Sequence, residues 1–154
     1  MEAIIKHYKT LLPATQFVVT GSWSLNLMGL TTKRPKDLDI ILVNPTKEAI
    51  DILERLQDSE ENVAFKNQGY PGGNKLYRIL HNGIKVDFFI DTRNRPTFKI
   101  DGGIEVSKVF DTVQAKKSYG RLKDILQLKM IAEMFYTTKD LDAFVQKEQA
   151  KLTQ

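Results

Sequence analysis

The chain has 154 residues, 42% of them hydrophobic and 27% charged, which is enough for one domain with a real core and unlike a disordered or fibrous composition. It contains no cysteine, which excludes disulfides, thiolate metal sites and cysteine nucleophiles and fits a reducing compartment. No apolar run approaches membrane-spanning length and Met1-Glu2-Ala3-Ile4-Ile5-Lys6 lacks a signal-peptide pattern, so a cytoplasmic protein with no membrane partner is expected; the net charge of +4 permits a phosphate-bearing partner without arguing for one.

In chain order, Ile4, Ile5, Tyr8, Leu11 and Leu12 give residues 2–12 a helical period, stopped by Pro13. Residues 16–20 form a short β-branched strand closed by Gly21-Ser22, and the apolar residues 23–30 (Trp23, Leu25, Leu27, Met28, Leu30) are helical. A basic loop, 31–36, leads into a strand over 37–43. Asn44 is the predicted N-cap of the next helix, with Pro45 in its first turn and Ile50, Ile52, Leu53 and Leu56 on its buried side. A strand over 62–67 and a Gly-rich loop over 68–74 follow. Residues 75–80 and 84–90 flank His81-Asn82-Gly83, and Asn-Gly between two apolar runs is a strong hairpin signal. Short strands at 97–100 and 104–107 precede helices at about 109–118, 121–135 and 139–151. The order predicts one α+β domain over 1–154: an α/β core, 1–108, whose sheet is flanked by helices, and a C-terminal helical part, 109–154.

Asp37-Leu38-Asp39-Ile40 carries the chemistry. Alternation along a strand puts Asp37 and Asp39 on one face and Leu38, Ile40 and Leu42 on the other. Two like charges on a half-buried face repel and are costly to desolvate, a cost that a divalent cation would remove. In the strand after the hairpin, Ile84, Val86, Phe88 and Ile90 form one apolar face, and Asp87 lies on the other with Lys85, Phe89 and Asp91. A solvent-exposed second face explains Asp87 alone equally well. Three strand-borne aspartates together point to hard oxygen ligands for Mg2+ or Mn2+, able to hold two ions on a triphosphate. Gly21-Ser22, at a strand-to-helix junction, offers backbone N–H groups and a hydroxyl to an anion, although such a pair is most often a plain turn with an N-cap.

Gly21-Ser22, then Asp37-Leu38-Asp39-Ile40, then Asp87 resembles the signature of the polymerase-β superfamily of nucleotidyltransferases. Residues 23–36 form the spacer of that signature, and Gly29 and Arg34 fall where similar proteins often have glycine and arginine. Lys116-Lys117-Ser118-Tyr119-Gly120-Arg121-Leu122-Lys123-Asp124 resembles a segment of small prokaryotic members, including those related to abortive-infection toxins, with Gln127 where a second acidic residue often stands. The resemblance implies a nucleotidyltransferase-like mixed or antiparallel sheet with C-terminal helices and a magnesium-dependent transfer of a nucleoside monophosphate from an NTP, such as ATP, to a hydroxyl on a small molecule, RNA or protein. Asp37, Asp39 and Asp87 would bind metal and catalyse. Gly21 and Ser22 would hold the β- and γ-phosphates, with Arg34, Lys116, Arg121 and Lys123 as further nucleotide contacts. For Arg121 and Lys123 a solvated helix face is an equally good reading, and Lys123-Asp124 reads also as a structural pair.

Two other functional classes compete: a non-catalytic member that binds nucleotide or a partner protein, as half of a toxin–antitoxin pair would, and a nucleic-acid binder using the basic loop and lysine-rich helices. Neither His7 nor His81 has a partner histidine nearby in sequence, so a histidine metal site is not expected. Trp23, with Leu25, Leu27 and Met28, reads as sheet packing, and Tyr70 and Tyr77 read as packing before base stacking.

Overall fold

A computed structural model describes residues 1–31, 34–58 and 76–135, with side chains described to residue 131. The predicted strand over 62–67, the loop 68–74 with Tyr70, Lys33 and the helix over 139–151 lie outside the described residues. The architecture is α+β. Helix α1 (Glu2–Leu11) precedes strand β1 (Gln16–Thr20), the short helix α2 (Gly21–Leu27), β2 (Leu38–Val43) and α3 (Lys47–Gln57). The hairpin β3 (Leu76–His81) and β4 (Ile84–Asp91) follows, then β5 (Thr97–Lys99), a single 3-10 turn, β6 (Glu105–Ser107), α4 (Val109–Tyr119) and α5 (Leu122–Phe135). Among the described residues no helix is long and apolar enough to cross a membrane.

The strands form one mixed sheet in the order β3-β4-β2-β1-β6-β5. β1 and β2 pair antiparallel, while β2 pairs parallel with β4 and β1 with β6. Asn82 and Gly83, at φ 50° and 78°, both hold the positive φ that a two-residue type I′ turn needs, which is why Asn-Gly located the β3–β4 hairpin correctly. Alternation gives the sheet an apolar face formed by Leu38, Ile40, Leu42, Ile79, Val86 and Phe88. It packs against Ile5 and Tyr8 of α1, Leu12 just past its end, and Ala49 and Leu53 of α3.

Two details differ from the sequence reading. Strand β2 begins at Leu38, so Asp37 immediately precedes it. Thr46 caps α3 by accepting a hydrogen bond from the Ala49 amide at 3.2 Å. Asn44 instead takes φ 45° and donates its amide to the Asp91 carbonyl, tying the ends of β2 and β4 together. His7 and His81, far apart in sequence, lie with ring centroids 5.5 Å apart and tilted by 43°, and the Tyr8 hydroxyl sits 2.8 Å from His81 Nδ1, which joins α1 to the hairpin. Tyr77 and Trp23 are core residues, as packing predicted.

Candidate active site

The opposite face of the sheet carries the charge. In β2 and β4, Asp39 and Asp87 are parallel register partners, so their side chains leave the sheet side by side on one face, with Ile41 and Phe89 next along the same strands. Thr20, the last residue of β1, is the antiparallel partner of Asp39. The chain then turns at Gly21, whose φ of 62° lies in the left-handed region. A Cβ at this position would stand 2.5 Å from Asp39 Oδ2, so the glycine is required both by its backbone and by the carboxylate behind it.

Each of the outer carboxylates has a cation. Asp87, buried, receives both arms of Arg78: Nε donates to Oδ1 at 2.8 Å and Nη2 to Oδ2 at 3.0 Å. Asp37, half exposed, pairs with Lys85 at 3.2 Å. The Asp39 side chain forms no hydrogen bond or ion pair with another described residue. Burial, then the charges of Asp87 and Asp37, push its carboxyl from 3.8 up to about 6, against the opposing pull of Lys116 and Lys123. It is thus the centre of an acidic patch that lacks a full countercharge. The donor set consists of hard carboxylate oxygens, which fits a magnesium-like cation. Among the described residues, however, no three acidic or histidine side chains converge into a finished cation cage, because Asp87 is turned to Arg78 and Asp37 to Lys85.

Helix α4 brings a lysine to the other side of Asp39. The buried hydroxyls of Ser24 and Thr112 meet at 3.0 Å where α2 packs on α4. One turn beyond Thr112, Lys116 Nζ donates to Ser22 Oγ at 3.0 Å, and Ser22 Oγ in turn donates to Gln127 Oε1 of α5 at 2.9 Å. Burial lowers the Lys116 ammonium; Asp124 and Asp39 oppose that shift. Asp124 is buried 3.6 Å from Lys116 and takes a bidentate fork from Arg121 at 2.6 and 3.2 Å. Burial works to raise the Asp124 carboxyl, but Arg121 and Lys116 outweigh it and hold it below the usual range.

Ser22 and Lys116 therefore meet within hydrogen-bonding distance, and Lys116 also faces Asp39 electrostatically, as Lys123 does from an exposed position on α5. Arg121 is committed to Asp124, so the structural pair expected of Lys123-Asp124 is made by Arg121 and Lys116. Arg34 is exposed and makes no hydrogen bond or ion pair with another described residue. Sequence reasoning missed Arg78 and Gln127. A cross-strand arginine opposite Asp87 was readable once the Asn-Gly turn fixed the hairpin register; the Gln127 contact depends on how α5 packs against α2 and had no local signal. A cleft of about 160 Å³ continues from Gly21 and Asp39 across Phe89 to Tyr119 and to Asp111, a half-buried carboxyl that burial raises.

No protein-family model matches the chain, and none of the curated proteins does. Among solved structures, a candidate nucleotidyltransferase from Thermotoga maritima superposes with a TM-score of 0.52 at 20% identity, covering 83% of this chain and 89% of that one. The protein JHP933 from Helicobacter pylori aligns with a TM-score of 0.43 at 18% identity over 75% of this chain and 53% of that one. The chain has a small nucleotidyltransferase-like fold, with a six-stranded mixed sheet and C-terminal helices.

Proposed function

We propose that this chain is a nucleotidyltransferase that uses Mg2+ or Mn2+ to move a nucleoside monophosphate from an NTP to a hydroxyl group. The observation that carries this reading is the register pair Asp39–Asp87, its central carboxyl pushed up to about 6 and backed by a glycine that leaves no room for a side chain. Asp37, Asp39 and Asp87 would hold the cation, which when bound supplies charge neutralisation and orientation of the phosphates. Ser22 and Lys116 present a hydroxyl and an ammonium to the same edge of Asp39, a pairing suited to phosphate oxygens. The cleft beside Asp39 is smaller than the few hundred Å³ usual for a whole drug-sized ligand, so it would receive one part of the nucleotide while the phosphates lie toward Ser22 and Lys116. In the reaction the acceptor oxygen bonds to the α-phosphorus, the bond from that phosphorus to the bridging oxygen breaks, pyrophosphate leaves, and the acceptor proton passes to solvent, with Asp87 helping to activate the hydroxyl through the cation it would hold. Catalysis would rest on positioning and charge stabilisation more than on covalent chemistry by the protein.

The test is incubation with labelled NTPs, magnesium and hydroxyl-bearing acceptors, RNA and proteins included. Transfer of label by the wild-type chain and its loss in Asp39→Ala are expected. Equal background in both would overturn the reading.

A further inference from the structure

Arg78 pairs with Asp87 beside the acidic centre, and nothing in the reading above gives it a task. It lies on β3 directly across the hairpin from Asp87, in register, and its two donor arms occupy both oxygens of that carboxylate. The pair is well sheltered, with 24% of the arginine side chain and 8% of the aspartate side chain exposed. The charges of Asp39 and Asp37 reach the same guanidinium, so Arg78 faces all of the acidic groups assigned to the cation.

A planar fork on a carboxylate is a geometry that a divalent cation also seeks, since both address the same oxygens. We propose that Arg78 is a positioning residue that competes with the divalent cation for Asp87: the fork holds the carboxylate aimed while the site is empty, and it opens when the cation takes those oxygens. The inference rests on Asp37, Asp39 and Asp87 being cation ligands. Lysine at position 78 would keep the charge and lose the fork, because an ammonium is a point donor. That difference separates competition through the hydrogen bonds from a mere effect of net charge.

Two measurements test it. In the unmodified chain, the NMR signal of the Arg78 Nε–H group is followed as Mg2+ is added. A shift with faster hydrogen exchange, in step with the shift of the Asp39 carboxyl signal, is expected. An Arg78 signal that stays fixed while the Asp39 signal moves overturns the competition but leaves the cation site standing. If neither signal moves at any Mg2+ concentration, the cation reading falls and this inference falls with it. In the second measurement, free Mn2+ is titrated by electron paramagnetic resonance without nucleotide. Arg78→Lys is expected to bind Mn2+ on the order of tenfold more tightly than wild type, the scale on which groups hydrogen-bonded to a ligand tune metal affinity, and Arg78→Gln more tightly still. Tightening in Arg78→Gln alone, with Arg78→Lys at the wild-type affinity, would show that only charge matters and would overturn the proposal.

Discussion

On the sheet face that meets α1 and α3, Leu38, Ile40 and Leu42 of β2 and Val86 and Phe88 of β4 are fully buried against apolar partners. On the other face the residues between them, Asp39 and Asp87, sit side by side with Arg78 opposite and Lys116 nearby. One peptide unit separates the two environments. The apolar face draws its energy from area and close packing, which any well-fitting side chains of that volume supply. The other face has a smaller buried cluster of Val18, Ile41 and Val43, but at Asp39 it concentrates like charge that adds no stability, as a site that waits for a cation would. The contrast says that substitutions on the first face should be read in stability and those of the acidic residues on the second in binding and pH dependence.

The largest expected effect breaks the first face. Phe88 is completely buried, and its ring meets the edge of Tyr8 at 5.1 Å between centroids. Phe88→Ala should cost about 3–5 kcal/mol in denaturant unfolding, the range for a buried aromatic that leaves a cavity. A loss below about 1 kcal/mol would mean that the face repacks freely.

The next effect belongs to Asp39 and has the opposite sign. Its carboxyl is near 3.8 when unfolded and about 6 when folded, so between those values the folded state carries the extra proton. The resulting penalty is absent below about pH 4, grows as pH rises, and is complete above about pH 6, where it amounts to as much as about 3 kcal/mol. In a chelating buffer, Asp39→Asn should therefore gain stability over wild type as pH rises from 4 to 7. Urea unfolding at several pH values measures the difference. A constant difference across that range would contradict a raised carboxyl. Added Mg2+ should stabilise the wild type above pH 6 and leave the Asn variant unchanged.

These two faces were unequally legible in the sequence. Ile84, Val86, Phe88 and Ile90 at every second position and the Asn-Gly turn made the apolar face legible, because a period of two and positive φ are local properties. The same alternation placed Asp39 and Asp87 on the second face of their own strands, but only the sheet order, with β4 beside β2, makes them neighbours. Pairing between strands that are distant in sequence has no local signature. The same pairing draws Asn44 to Asp91, away from the capping role that Thr46 fills by a local contact, while Asp37 lies one residue outside a strand boundary and the Gln127–Ser22 contact depends on how α5 packs against α2.

Gly21 joins the two faces at the end of β1, and a smaller effect is expected there. Gly21→Ala forces φ of 62° on a residue with a Cβ and sets that carbon against Asp39 Oδ2. The backbone share is about 1–2 kcal/mol. The displaced carboxylate should weaken Mn2+ binding as well, a change that the backbone share alone does not produce. A destabilised variant with wild-type Mn2+ affinity would place Gly21 in the turn only and detach it from the site.

The smallest expected effect sharpens the contrast within the charged face itself. Arg121 and Lys116 share Asp124, but 52% of the Arg121 side chain is exposed against 7% for Lys116 and 1% for Asp124. An exposed guanidinium is screened and gains little from its partner, so Arg121→Ala should cost no more than about 1 kcal/mol. Lys116 would remain beside Asp124, so the carboxylate keeps a countercharge and the Lys116–Ser22 hydrogen bond survives. Arg121→Ala should then leave nucleotide affinity near wild type, whereas Lys116→Ala removes a group facing Asp39 and should lower it. Equal losses of affinity in the two variants, measured by calorimetry with Mg-ATP and Mg-GTP, would make Arg121 a direct nucleotide contact. That result would move the boundary of the site outward along α5, past the buried pair at which it now stops.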